Sequence, residues 1–347
     1  MTATLGQPIT DVSAASPVRW PASPSSRRIV PGVLPSGEVE PSRRRQGSSP
    51  VEAGADSQFP LKQYNEIDIT IDRKEKTFWC FLRPDGVPSF THGILRDLAD
   101  MQRSIKRMFA DTAAESDRPI RHFVVGSRLP GIFNMGGDLG FFADRIRAGD
   151  RDALAKYAGA CIEVVYNNAT ALDLPIVTIA LVQGDALGGG FEAVLSCNVV
   201  VAEKSAKLGL PEILFNLFPG MGAYSLLSRK LDPARAERMI LGGRVYSAQE
   251  LHEMGLVDVV AEDGQGEDVV RHYIARNARR HGAHRSICEI RRRINPLTFE
   301  ELQDVTEIWV ETALRLDESD LRKMERLMSA QRRRLAARAG AAVDAGR

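Results

Sequence analysis

Apolar residues along this chain keep two different periods, and the places where the period changes mark its elements. From residue 64 the run YNEIDITIDR alternates apolar and polar side chains, the period of two that a strand with one wet face requires. KTFWCFLRP follows after a short polar turn, so the two runs predict a β-hairpin. Residues 94–109 (ILRDLADMQRSIKRMF) switch to apolar positions three and four apart, with Arg and Lys mostly on the other face, which predicts an amphipathic helix. IRHFVVG (120–126) returns to a strand. The loop SRLPGIFNMGGDL ends it, with Asp138 placed to cap a helix starting near Leu139. Residues 150–172 read as one long amphipathic helix.

The richest stretch is 176–222. Residues 176–182 form an apolar, β-branched run suited to a buried strand, bounded by Gly184 and the triple glycine Gly188, Gly189 and Gly190. A helical segment (191–197) carries Glu192, a second β-rich run covers 199–202, and LGLPE leads to Glu212. A glycine turn before a helix lets backbone N–H groups point outward with no Cβ in the way, and the helix start adds positive partial charge. Such a place suits an oxyanion. Two carboxylates beside it can act as acid and base if their surroundings separate their pKa values. The same spacing also fits an ordinary glycine-rich turn with two solvated glutamates.

Further on, 223–231 and 233–241 predict two helices with Gly242 and Gly243 as terminator. Ser247 with Glu250 three residues later is a capping box opening a helix to Met254, and LVDVVA closes as a short strand. Residues 269–338 are nearly all helical in pattern. Alternating strands and helices argue for an α/β layered core, and no internal repeat is evident. Residues 1–60 are rich in Pro, Ser, Gly and Arg and lack periodicity, so they predict a disordered tail. Its basic clusters, Arg27–Arg28 and Arg43–Arg45, fit a solvated tail better than a partner site.

Charge and composition narrow the classes. A net charge of +1 over 347 residues gives no general pull toward nucleic acid or membrane. No apolar run approaches the roughly 18 residues that span a bilayer, and no secretory leader is visible, so the expected location is cytoplasmic. Cys80, Cys161, Cys197 and Cys288 lie far apart with no metal spacing, which predicts reduced thiols and no metal site. His122 sits inside a strand and reads as a core histidine. Arg271, Arg276, Arg279, Arg280, Arg285 and Arg291 to Arg293 form a basic surface that a phosphate-rich partner could use, or simply solvated helix faces.

LVQGDALGGGFEA, FNMGGDL (133–139), LPEILFNLFPGMGAYS and QELHEMGLVDVV resemble the crotonase (enoyl-CoA hydratase/isomerase) superfamily over about residues 64–334. The first and third of these, with TEIWVETAL, are most similar to its branch of diffusible signal factor synthases, which make cis-2-unsaturated fatty-acid signals. The resemblance implies an α/β fold with a crotonase-type spiral ββα core (61–262). A helical C-terminal trimerisation region (263–338) would pack on that core, followed by a flexible tail (339–347). It implies backbone N–H groups of Gly137 and Gly189 as the oxyanion hole, and Glu192 and Glu212 as the catalytic pair. Gly136, Gly188, Leu214, Phe215, Leu217, Phe218, Met221 and Tyr224 would bind substrate. Those last apolar residues also fit plain core packing, and Trp309 and Met324 are expected as packing residues.

The implied reaction dehydrates a 3-hydroxyacyl thioester of acyl carrier protein to the cis-2-enoyl thioester, then hydrolyses it to the free acid. An enoyl-CoA hydratase of fatty acid oxidation and a non-catalytic binding protein on the same fold are the alternatives. No cofactor beyond an acyl carrier protein or CoA thioester substrate is implied. Further expectations from the resemblance are a homotrimer or hexamer, a regulatory sensor kinase as partner, and no nucleic acid or membrane. The chain departs from ordinary hydratases after Glu212, where PGMGAYSLL stands for their PGAGGTQRL, and at Phe191, where a smaller residue is usual.

Overall fold

The alternating run and the aromatic run that follows it do form a hairpin. In the computed structural model, which describes residues 62–110 and 118–345, β1 (Ile67–Asp72) and β2 (Thr77–Leu82) pair antiparallel, Ile67 opposite Leu82 and Asp72 opposite Thr77. The 1–60 tail and its arginine clusters lie outside the described residues. After α1 (His92–Met108), β3 (His122–Ser127) lies parallel to β2. The chain continues through β4 (Gly131–Asn134), α2 (Leu139–Arg147), α3 (Arg151–Ala169), β5 (Val177–Val182), β6 (Gly184–Leu187), α4 (Gly189–Ser196), β7 (Val199–Glu203) and β8 (Lys207–Gly209). Next come α5 (Ala223–Lys230), α6 (Pro233–Gly242), β9 (Val245–Ser247), α7 (Ala248–Glu253), β10 (Val259–Ala261), α8 (Gly266–Asn277), α9 (His281–Ile294), α10 (Phe299–Ala313) and α11 (Glu318–Ala345).

The main sheet has the order β1-β2-β3-β5-β7-β10, parallel except at the hairpin. Its inner strands are buried on both faces, which is why β2, β3 and β5 read as unbroken apolar runs rather than alternations. Trp79, Phe81, Val124, Ile179 and Val201 pack on one face with Val270 and Ile274 of α8. Phe78, Cys80, Phe123, Val182 and Val200 point the other way, into the main core with α1, α3 and α4. Arg271 stacks over the Trp79 ring at 4.7 Å and pairs with Asp72 at 3.1 Å, so this arginine covers the sheet rather than standing free.

A second sheet, β4-β6-β8-β9, is the main feature the periodicity does not announce. β4 and β6 are four residues each and are read as loop and as glycine turn from sequence alone. They pair parallel with Gly131 opposite Gly184, and a Cβ on Gly184 would collide with the Gly131 backbone. The glycine is therefore a packing requirement between two chain segments far apart in sequence, not a turn signal. Only Gln183 separates β5 in the first sheet from β6 in the second.

Helix ends follow the side chains that cap them. Thr91, Asp138 and Asp150 accept from Ile94, Phe141 and Ala153 N–H, each at 3.1 Å, and the Ser247–Glu250 capping box has both its bonds. Gly243 ends α6 at φ +58°. The helix expected over 150–172 stops at Ala169: Ala171, Leu172 and Asp173 take left-handed φ of +54°, +60° and +58° ahead of Pro175. α11 continues to Ala345, so it takes in most of the 339–347 stretch expected as a tail. Asp138→Ala is expected to cost about 0.5–2 kcal/mol, read as a lower urea midpoint with unchanged slope. All four cysteines are buried free thiols, and burial pushes the Cys197 thiol up to about 12. His122 is the core histidine expected, 4.9 Å from His281, and burial pushes its imidazole down to about 3. Among the described residues no helix is long and apolar enough to cross a membrane, and no three His, Cys, Asp or Glu side chains are grouped to hold a metal.

Candidate active site

The second sheet brings the sequence motifs together. Pairing of β6 with β8 sets Leu187 opposite Gly209, so the residues after β8 run beside the start of α4. Gly188 makes the turn between β6 and α4 at φ +53° and ψ −127°, with its N–H on Gly209 O at 2.8 Å. Glu212 begins a 3-10 turn (Glu212–Phe215) directly across from it. A Cβ on Gly188 would fall far inside van der Waals contact of Glu212 Oε1, so the bare glycine leaves room for that carboxylate. Glu192 lies in the first turn of α4 and is 1% exposed. Its Oε1 accepts from Met221 N–H and Ala223 N–H, each at 2.8 Å, which stitches the 219–222 loop to the helix.

Pairing of β4 with β6 does the same for the first glycine pair. Gly136 takes φ +94°, and a Cβ there would sit 2.8 Å from Leu187 O and 3.0 Å from Gly189 N. A Cβ on Gly189 would in turn lie 3.6 Å from Gly137 N. The N–H of Gly136 is held by Asn134 Oδ1 at 2.7 Å and that of Gly188 by Gly209 O. Gly137 and Gly189 are left as neighbouring backbone donors on the wall of one cavity, Gly189 with the orphan N–H of a helix start. The Tyr157 hydroxyl fixes this wall, donating to Phe90 O and accepting from Asp138 N–H at 3.1 Å.

That cavity measures ≈ 600 Å³ and is mostly apolar. Of the residues expected from sequence, Gly136, Gly137, Gly188, Gly189, Glu192, Glu212, Phe215, Leu217 and Met221 line it. Leu214, Phe218 and Tyr224 do not. Leu214 is 59% exposed, because the tight 3-10 turn that aims Glu212 and Phe215 inward aims Leu214 outward. Tyr224 is 41% exposed and its hydroxyl donates to Glu237 at 3.0 Å, one residue beyond the Ala223 N–H held by Glu192. Phe218 is half-buried against the core away from the cavity.

Phe142 of α2 adds to the wall, and elements farther away in sequence contribute Tyr157, Cys161, Trp309, Leu327 and Gln331. The spacing of Leu154, Tyr157, Ala158 and Cys161 on α3 marks a core-facing stripe, but which space it faces depends on α2 and α10. Trp309 packs as expected, edge-on to Phe142 at 5.0 Å, and lines the cavity as well. α11 closes this side within the same chain: Asp320 accepts from Asn216 at 3.1 Å, and Arg147 pairs with Glu318 and Glu325 at 2.9 and 2.8 Å.

Burial, and then the Glu212 charge, push the Glu192 carboxyl well above its ordinary range against the two N–H groups that favour its anion. Burial pushes Glu212 up to about 7, and its Oε2 is buried without a partner. Two carboxyls in one apolar cavity cannot both ionise cheaply, so near neutrality the pair holds a proton between them. The cavity thus offers two neighbouring backbone N–H groups, a carboxylic acid and a carboxylate around an apolar volume.

The sequence profile of the enoyl-CoA hydratase/isomerase family matches residues 99–295. Human mitochondrial methylglutaconyl-CoA hydratase is 30% identical over 254 residues, covering 72% of this chain and 68% of that protein. The rat protein of the same name is 36% identical over 156 residues, 45% of this chain, and the match spans about half of its length (47%). Among solved structures, Pseudomonas aeruginosa DspI aligns at a TM-score of 0.54 with 26% identity, covering 67% of this chain and 88% of that one.

Proposed function

The chain belongs to the enoyl-CoA hydratase/isomerase family and has its α/β crotonase fold with a helical C-terminal region, and from that premise we propose that it is a diffusible signal factor synthase. It would dehydrate a 3-hydroxyacyl thioester of acyl carrier protein to the cis-2-enoyl thioester and hydrolyse that to the free cis-2-unsaturated acid. The observation that carries the reading is the convergence of Glu192, Glu212 and the Gly137 and Gly189 N–H groups on one apolar cavity. The likeness to DspI and the sequence resemblance to the signal-factor branch support the choice within the family.

In the proposed reaction the thioester oxygen sits on the Gly137 and Gly189 N–H groups. One carboxylate of the pair takes the C2 proton, the C3–O bond breaks as the other carboxylic acid protonates the departing hydroxyl, and the C2=C3 bond forms with release of water. The pair ends with its proton exchanged between the two sites. In the second step water adds to C1 at the same oxyanion donors, the C–S bond breaks, and the thiol leaves with a proton. A buried pair sharing one proton near neutrality supports both roles without assigning either to one residue.

Acyl carrier protein is acidic, and Arg276, Arg279 and Arg280 stand exposed around the end of α8 as a surface it could meet. The apolar residues Ile287, Ile290 and Ile294 on α9 and Ile308 on α10 are also exposed, which supports a homo-oligomer such as a trimer. A second reading, a hydratase of CoA thioesters, is favoured by the names of the curated relatives. The purified protein, given 3-hydroxydodecanoyl thioesters of acyl carrier protein and of CoA, separates the two. Free cis-2-dodecenoic acid from the carrier-protein substrate is the expected product by mass spectrometry and chromatography. Reversible hydration on CoA with no free acid would replace the synthase reading with the hydratase.

A further inference from the structure

α4 carries Glu192 at its start, and its other end borders a second cavity, ≈ 560 Å³, that the reaction above does not use. Leu195 and Ser196 of α4, Arg229 and Lys230 of α5, and Arg291 and Arg292 of α9 line it. Seven helical steps separate the two ends of α4, about 10 Å, so the two cavities are distinct. The basic α9 surface noticed in the sequence therefore divides. Arg293 pairs with Glu289 at 2.7 Å, whereas Arg291 and Arg292 border this half-open space.

The charges in this space are not balanced. Arg229 is committed, with Glu301 taking it at 2.6 and 2.7 Å and Pro296 O at 2.6 Å. Lys230 Nζ donates to Cys197 O at 3.2 Å. Among the described residues, Lys230, Arg291 and Arg292 make no ion pair with a carboxylate, and Arg292 Nη1 is buried without a hydrogen-bond partner. Asp258 is the carboxylate whose charge reaches Lys230, and its Oδ2 is held by Val200 N–H at 2.7 Å. Burial, and then Arg291, press the Lys230 ammonium toward its neutral form. Arg291 is exposed and Lys230 and Arg292 are half-buried, so cations set side by side here without counter-charge repel one another, and an anion placed among them offsets that repulsion. Two guanidinium forks and one ammonium match the several oxygens of an oxyanion. The other walls, Leu195, Leu226 and Leu297, are apolar.

We propose that this cavity is a second ligand site that binds a small organic anion, with its oxyanion head against Lys230, Arg291 and Arg292 and its apolar body against the leucines. A phosphate monoester and a carboxylate share this chemistry. The site stands independently of which reaction the Glu192 cavity performs.

The test titrates the full-length protein with inorganic phosphate, dodecyl phosphate and dodecanoate at constant ionic strength, following thermal midpoint and calorimetric heat. It is run on wild type, on Arg291→Gln/Arg292→Gln and on Glu212→Gln. The expected result is saturable binding of at least one amphiphilic probe, weakened tenfold or more in the arginine variant and unchanged in Glu212→Gln. Preference for dodecyl phosphate identifies a phosphate head, and preference for dodecanoate a carboxylate. Should the double variant not fold, Arg292→Gln alone serves, with a smaller but measurable weakening expected. Absence of saturable binding to wild type overturns the proposal, as does binding that survives the arginine changes. A change of oligomeric state in the arginine variant without any probe binding overturns it too, since the cations would then be answering the carboxylates of a second copy.

Discussion

Glu212→Gln is expected to lower kcat by 10²–10⁴ with little change in KM, because the amide keeps the shape of the side chain but cannot exchange a proton. The same variant carries a stability signature of opposite sign. In the folded protein Glu212 titrates near 7, against an ordinary 4.5, because burial disfavours its charge. The folded state thus holds a proton that the unfolded chain has released, so this group costs wild type stability as pH rises from 4.5 through 7. Gln does not titrate. Urea melts should therefore show the variant gaining on wild type across that window, by up to about 3 kcal/mol above pH 7. Inactive protein whose stability tracks wild type at both pH 5 and pH 8 would mean that the carboxyl is not buried as the cavity places it. Glu192→Gln is the companion: its amide oxygen can still accept from Met221 and Ala223, so activity should fall while the 219–222 loop stays in place.

Activity lost together with stability gained marks a site whose cost is borne by the rest of the fold. The two carboxyls are held in that costly position by features of very different visibility. α4, β5 and β7 could be read from the chain because each is a local run with its own period, and Glu192 and Glu212 stand out as acids inside apolar sequence. The second sheet could not. β4 and β6 have no run of their own, and what makes them strands is pairing across some fifty residues, Gly131 opposite Gly184. Leu214 and Tyr224 show the same limit at the level of single side chains. Hydrophobicity placed them in the substrate neighbourhood, but a 3-10 turn and one residue of register put both on the surface. Tyr157, Trp309 and Gln331 reach the cavity only because α3, α10 and α11 close over it, which no local pattern contains.

Gly188→Ala tests whether the glycines act as geometry rather than as flexibility. At φ +53° and ψ −127° an alanine is strained by roughly 1–3 kcal/mol, and its methyl would occupy the space of Glu212 Oε1. The carboxylate must swing away, and a misplacement of about 1 Å at a reacting group can cost 10²-fold. The expected result is a loss of about that size in kcat, with a native circular dichroism spectrum and a lowered melting temperature. Gly189→Ala is the internal comparison. Its φ is ordinary, its methyl meets the flexible end of Met221, and its N–H remains available, so its loss should be several-fold smaller. Equal losses in the two variants would show that crowding in the turn, not the position of Glu212, governs the rate. A deep loss at Gly188 alone, recovered in part by Glu212→Asp with its shorter side chain, would tie the left-handed turn directly to the proton-transferring carboxylate.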